Sequence, residues 1–214
     1  MGAYFIIFLI LGILLLPFLV VFLIFNFFTA GLTQLGFTTS AGFLIVFLMF
    51  LSSSVNIPLE KKETIVLEGR RLFGSLNSKR KVRRGVSINL GGAIIPLFIV
   101  AGLFSSAPVQ ATFLATLIVT LTSYKTAKII PGFGVVMPVF LPLGATLLSA
   151  LLLAPQNPEV VAFISGVLGT IIGADLLHLP QIMNKSNRMM VIGGAGVFDG
   201  IFLIGIIASI LAGF

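Results

Sequence analysis

The chain has 214 residues, of which 58% are hydrophobic and 9% charged, with a net charge of +7 and a mean hydropathy of +1.20. A soluble globular domain carries about 25% charged residues, and a disordered chain is poor in apolar ones, so both classes are excluded. Cysteine is absent and His178 is the sole histidine; this removes disulfides, thiolate nucleophiles, zinc–thiolate and three-histidine sites, and nearly removes Ser-His-Asp chemistry.

A helix that crosses a bilayer needs about 20 mostly apolar residues, because lipid cannot satisfy its backbone polar groups. The sequence predicts spans at Tyr4–Phe28, Gly31–Leu51, Ser87–Phe104, Pro108–Tyr124, Phe133–Leu153, Pro158–Leu179 and Met190–Ala212. The first has no basic flank before Gly2–Asn26, which predicts a permanent helix rather than a cleaved signal. Within the second, Thr29–Ser40 holds Gly31, Thr33, Gln34, Gly36, Thr38 and Thr39, a composition that predicts a broken or re-entrant helix. Residues 52–86 form a basic loop, in which the β-branched run Thr64-Ile65-Val66-Leu67 and the alternation at Asn56–Glu60 predict a short surface hairpin. Asn89-Leu90-Gly91-Gly92 and Pro96 interrupt the third span. Pro131-Gly132-Phe133-Gly134, Pro138 and Pro142 interrupt the fifth. Backbone freed by such breaks usually lines a buried or wet cavity.

Lys61, Lys62, Arg70, Arg71, Lys79, Arg80, Lys81, Arg83 and Arg84 lie between spans two and three; Lys125 and Lys128 between four and five; Lys185 and Arg188 between six and seven. Together they are all 13 basic residues. With seven spans these loops share one face, which the excess of Lys and Arg marks as cytoplasmic. The N-terminus is then inside and the C-terminus outside. The run Lys79–Arg84 acts as a topology determinant and is a candidate contact for anionic lipid headgroups. No aromatic residues interleave these charges, which argues against nucleic acid.

Glu60, Glu63 and Glu68 lie in the basic loop, and Glu159 suits the positive start of the sixth helix. Asp175 and Asp199 remain, each flanked by apolar residues on a predicted span. A charged Asp at a helix centre costs about 2.5–3.5 kcal/mol, which makes each a functional-site candidate. The sixth helix, ending near Leu179–Gln181, would put Asp175 about 6–9 Å inside, and the seventh, starting near Met189, would put Asp199 about 15 Å inside, both facing one cavity. Gly166, Gly169 and Gly173 on one helix and Gly193, Gly196 and Gly200 on the next would let the two backbones approach.

Two functions follow from this pair. Close carboxyls in a low dielectric share a proton, so one can take a proton from water while the other donates to a peptide carbonyl. Asp175 and Asp199 would then be the catalytic dyad of an intramembrane aspartyl protease. Alternatively, Asp175 and His178 lie three apart on one helix face, and with Asp199 they would hold a cation or proton for transport; Asn89, Asn184 and Asn187 would add oxygen ligands. Candidate substrate- or ion-binding positions are His178, Asn89, Gly173 and Gly196.

Ser87–Pro96, Ser165–Leu177 and Gly193–Leu203 carry an Asn-x-Gly-Gly-Ala motif, a Gly-Thr-x-x-Gly-Ala-Asp motif and a Gly-Gly-Ala-Gly-x-x-Asp-Gly motif. On these motifs the chain resembles a prokaryotic, largely archaeal, integral-membrane family of unknown function from about residue 55 onward. More distantly, Asp on consecutive helices is similar to presenilin- and signal-peptide-peptidase-type proteases. Those carry Tyr-Asp and Gly-x-Gly-Asp; here Ala174 precedes Asp175, and Val197-Phe198 separate Gly196 from Asp199. The similarity implies an Asp175–Asp199 dyad. The expectation is therefore an all-α polytopic bundle, one membrane domain over residues 1–214, multi-pass in the plasma membrane. Its partners would be the bilayer, anionic headgroups and a transmembrane peptide substrate, with no cofactor.

Overall fold

The computed structural model describes residues 2–68, 78–130, 134–181, 189–194 and 199–213, with backbone alone at 2–3, 5–10, 61–68, 78–84 and 134. The described residues are mostly helical, in seven α-helices joined by two small sheets.

Helix α1 (Gly2–Gln34) runs 33 residues, about 50 Å at the helical rise. It passes through Thr29–Gln34 and stops at Gly36, whose φ of 92° only glycine adopts without strain. The break expected in Thr29–Ser40 therefore falls at its C-terminal end. Thr38 then accepts a hydrogen bond from the Ala41 N–H and opens α2 (Thr39–Ser52), supplying one of the orphan donors of a helix start with an acceptor. The two helices pack antiparallel, with Gly42 set against Thr29 and Leu32.

Residues 56–68 and 78–89 form two long paired strands where a short hairpin is expected. Strand β1 (Asn56–Glu68) pairs antiparallel with β2 (Ser78–Asn89), with a register shift between Pro58 and Glu60. Proline is tolerated there because β1 is an edge strand in the order β1-β2-β5. At Asn89 the chain turns into a π-helical stretch (Leu90–Ile94) and continues as α3 (Ile95–Leu103). Helix α4 (Val109–Thr126) leads into the two-stranded sheet of β3 (Lys128–Ile130) and β4 (Gly134–Val136). Helix α5 (Phe140–Leu153) follows. Helix α6 (Pro158–Thr170) widens into a second π turn (Ile171–Leu176). Strand β5 (Met189–Ile192) joins β2 in parallel, and α7 (Gly200–Ala212) closes the chain.

Two corrections follow. The chain is not all-α, because the polar hairpin recruits Met189–Ile192 as a third strand. The fifth and seventh helices start later than the apolar runs suggest: residues 134–136 and 189–192 are extended, so α5 begins at Phe140 and α7 at Gly200. The depth of Asp199 counted from a helix start at Met189 falls with this.

Helix α6 is the centre of the bundle, with every residue from Val160 to Val167 buried. Phe163 meets Phe202 of α7 edge-on at 6.3 Å, and Phe28 of α1 meets Phe202 at 5.3 Å. Such ring pairs add about 0.5–1.5 kcal/mol beyond their buried area. Ala111, Ala115, Ala150, Ala162 and Ala208 make a second, small-residue core. The exterior is apolar: Phe113 is 68% exposed, Phe140 85% and Leu152 78%. Two helical segments are long and apolar enough to cross a membrane, Leu11–Gln34, which is almost wholly exposed, and Pro158–Gln181, which is mostly buried.

Candidate functional site

Pro158 at the first position and Glu159 in the first turn start α6, where the missing N–H and the carboxylate are both favourable. Its glycines then set its neighbours. A Cβ on Gly166 would lie 2.7 Å from the Gly205 Cα, so α6 and α7 are in backbone contact there. Gly169 and Gly173 face elsewhere. A Cβ on Gly169 would sit 2.6 Å from the Val119 Cβ, and one on Gly173 would run into the Thr120 carbonyl. The stripe expected to bring α6 onto α7 does so at Gly166 and otherwise seats α6 on α4.

Past Thr170 the helix widens, and Leu177 donates its N–H to Ile172 at 2.9 Å. Asp175 sits in this π turn, half-buried. π turns recur at functional sites because the inserted residue re-aims a side chain. His178 is buried. Its Nδ1 lies 3.1 Å from the Gly173 carbonyl and 3.0 Å from the Ala174 carbonyl, and its ring lies against Tyr124 of α4 with centroids 4.8 Å apart.

The second half of the site begins where β5 ends. Gly193 has φ 69°, and a Cβ on it would lie 2.7 Å from the Gly92 carbonyl carbon. Its backbone N–H donates to the Asp175 carboxylate, and the charges of Asp175 and Asp199 lie close enough to act on each other. Asp199 is the N-cap of α7: its Oδ1 accepts the Ile201 N–H at 3.1 Å. It is half-buried as well. On the far side of Gly92, Asn89 is fully buried. It donates from Nδ2 to the Ser53 carbonyl at 2.6 Å and to Asn56 Oδ1 at 2.9 Å, and accepts the Gly92 N–H at 2.8 Å.

Residues Asn89–Gly92, Gly173–His178, Gly193 and Asp199 of the three motifs thus meet at one end of the bundle. Of the predicted pair, Asp175 and Asp199 lie within reach of each other's charge. Asn89 spends its amide on tying α2, β1 and the first π turn together. Gly173 packs on α4, and His178 gives Nδ1 to its own helix. Gly196, Asn184 and Asn187 lie outside the described residues. Among the described residues, no three His, Cys, Asp or Glu side chains group as metal ligands, so Asp175, His178 and Asp199 do not form such a set. Sequence reasoning passed over Gly193 as a donor and Tyr124 as a wall; the Gly193-Gly194 pair was the one available sign of a tight turn beside Asp175.

A model of the family described as Protein of unknown function (DUF1614) matches residues 50–211. The chain belongs to this family. No curated protein matches it, and no solved structure does. The DUF1614 region starts inside α2 and contains all three converging segments; nearly all of α1 and α2 precedes it. The meeting of Asp175, Gly193 and Asp199 therefore lies wholly within the family's part of the chain.

Proposed function

We propose that this DUF1614 member is a multi-pass plasma-membrane protein that works as an intramembrane aspartyl-protease-like hydrolase, with Asp175 and Asp199 as its dyad. The observation that supports the reading is that two half-buried carboxylates on consecutive helices lie within reach of each other's charge, beside the place where Gly193 meets Gly92 and Asp175. With one carboxyl ionised and the other protonated, a water between them loses a proton to the first as its oxygen attacks a peptide carbonyl carbon. The second gives its proton to the carbonyl oxygen. Collapse of the tetrahedral species breaks the C–N bond, and a proton passes from the dyad to the leaving nitrogen. The chemistry needs no further side chain, and the distant likeness to presenilin- and signal-peptide-peptidase-type proteases points the same way.

The membrane setting is supported by the exterior. Exposed apolar patches of more than a few hundred Å² mark contact with lipid or partner surfaces, and α1 alone exposes Phe18, Phe22 and most of its Leu and Val residues. We infer seven spans with the N-terminus inside. The end of α6, the start of α7 and the Asn89 turn meet at one end of the bundle, and the basic loops at 52–86, 125–128 and 185–188 flank these same segments. That end is the cytoplasmic one. The hairpin of β1 and β2 would meet anionic headgroups there, each cation contributing about 1 kcal/mol near the surface.

The test is cleavage of a transmembrane reporter peptide by the purified protein in liposomes, across a range of pH. Cleavage that vanishes in both Asp175→Asn and Asp199→Asn supports the dyad. No cleavage at any pH, together with proton or cation flux that depends on Asp175, would replace the protease reading with a transporter.

A further inference from the structure

We propose that His178 is a positioning residue for Asp175, acting through the two peptide groups that precede it and braced by Tyr124; the inference deepens the dyad reading and rests on it for its catalytic consequence. In an α-helix the Leu177 N–H would go to the Gly173 carbonyl. Here it goes to Ile172, because the turn has widened to π. Gly173 loses its α-helical donor, and a buried carbonyl without a donor is destabilising. The His178 side chain takes up that vacancy, placing Nδ1 at hydrogen-bond distance from both the Gly173 and the Ala174 carbonyls. A carbonyl cannot donate, so Nδ1 carries the hydrogen, which fixes the tautomer of the neutral ring.

The Ala174 carbonyl belongs to the peptide unit that enters Asp175. Clamping it sets the direction in which the Asp175 side chain leaves the helix. Helix α4 holds the other side of the clamp. A Cβ on Gly173 would lie 3.0 Å from the Tyr124 backbone N, while the Tyr124 ring lies 35° from the plane of the His178 ring. The last turn of α4 thus presses on both the π turn and the imidazole. Across the gap, Asp175 accepts the Gly193 N–H. His178 and Gly193 grip the same turn, one by its backbone and one by its carboxylate.

The test uses the full chain in liposomes and two readouts. The first is labelling by dicyclohexylcarbodiimide, read by mass spectrometry as the ratio of modified Asp175 to modified Asp199. The second is kcat for a transmembrane reporter peptide. His178→Leu keeps volume and removes the donor. It should shift the labelling ratio by about fivefold to tenfold, the scale of one or two lost hydrogen bonds, and lower kcat by a similar factor with KM little changed. His178→Asn restores a side-chain N–H near the position of Nδ1 and should recover most of both. If His178→Leu does not fold, Tyr124→Leu, which leaves the imidazole but removes its brace, should shift the ratio in the same direction. An unchanged ratio in the folded variant, or His178→Asn behaving like His178→Leu, would overturn the proposal. A shifted ratio with no cleavage even by the native protein would leave the clamp standing and defeat the protease reading alone.

Discussion

The backbone N–H of Gly193 reaches across from the end of β5 to donate to the carboxylate of Asp175 at the end of α6. It can do so because Gly193 adopts φ 69° while its Cα rests against Gly92 and Ala93 of the first π turn. One residue thereby ties the sheet, the first π turn and the acidic site together.

Gly193→Ala should be strongly destabilising. The left-handed conformation costs an L-residue roughly 1–2 kcal/mol, and the added Cβ would sit 2.7 Å from the Gly92 carbonyl carbon and 2.8 Å from the Ala93 Cβ. Backbone on one side leaves little to yield. A loss of about 2–4 kcal/mol is expected, read as a lowered thermal midpoint in detergent. A variant as stable as the native protein would show that the turn can rearrange.

Asp199 has a structural task beside its proposed chemical one, and two substitutions separate them. Asp199→Asn keeps a side-chain oxygen for the Ile201 N–H and should hold the native stability. Asp199→Ala removes the cap and should cost about 1 kcal/mol. Both should abolish reporter cleavage. Paired thermal melts and cleavage assays check this; residual cleavage in Asp199→Asn would deny the carboxylate a catalytic role.

What was legible in the sequence depended on scarcity. With six acidic residues in the chain, four of them explained by loops and a helix start, Asp175 and Asp199 stand out by elimination. The partner of each glycine was not legible. Gly166, Gly169 and Gly173 form one stripe by period, but a stripe does not name the helix it meets, and two of the three meet α4. Met189–Ile192 is apolar under either period, so the sequence predicts the first turn of a helix there. Only the presence of β2 beside it makes it a strand. The π turn that carries Asp175 leaves no mark in residue types, since it follows from how Gly173 seats on Thr120 and how His178 closes the helix.

Asn89→Ala should destabilise the fold without any ligand being involved. The side chain is fully buried and makes three hydrogen bonds. Truncation leaves the Ser53 carbonyl and the Gly92 N–H without their partner, at about 1–3 kcal/mol each before relaxation. Asn89→Asp should be no better, since it puts an acceptor where Nδ2 faces the Ser53 carbonyl and Asn56 Oδ1. Denaturation midpoints of both variants would check this. Native stability in either would reopen Asn89 as a binding residue rather than a structural tie.

The glycines themselves should divide into two classes when replaced by alanine. Gly173→Ala drives a Cβ into the Thr120 carbonyl and within 2.8 Å of the Ser123 Cβ. Helix α6 must then leave α4, which loosens the π turn and carries Asp175 with it. Gly102 and Gly144 lie in helices α3 and α5, and a Cβ on either meets nothing within 4 Å. There alanine removes the entropic penalty of a helical glycine, so Gly102→Ala and Gly144→Ala should each stabilise by about 0.5–1 kcal/mol. Gly173→Ala should lose 2 kcal/mol or more, roughly the cost of overpacking a core. Thermal midpoints of the three variants, measured in the same detergent, should therefore move in opposite directions. If Gly173→Ala rises with the other two, the close seat of α6 on α4 is wrong, and with it the account of why the helix widens before Asp175.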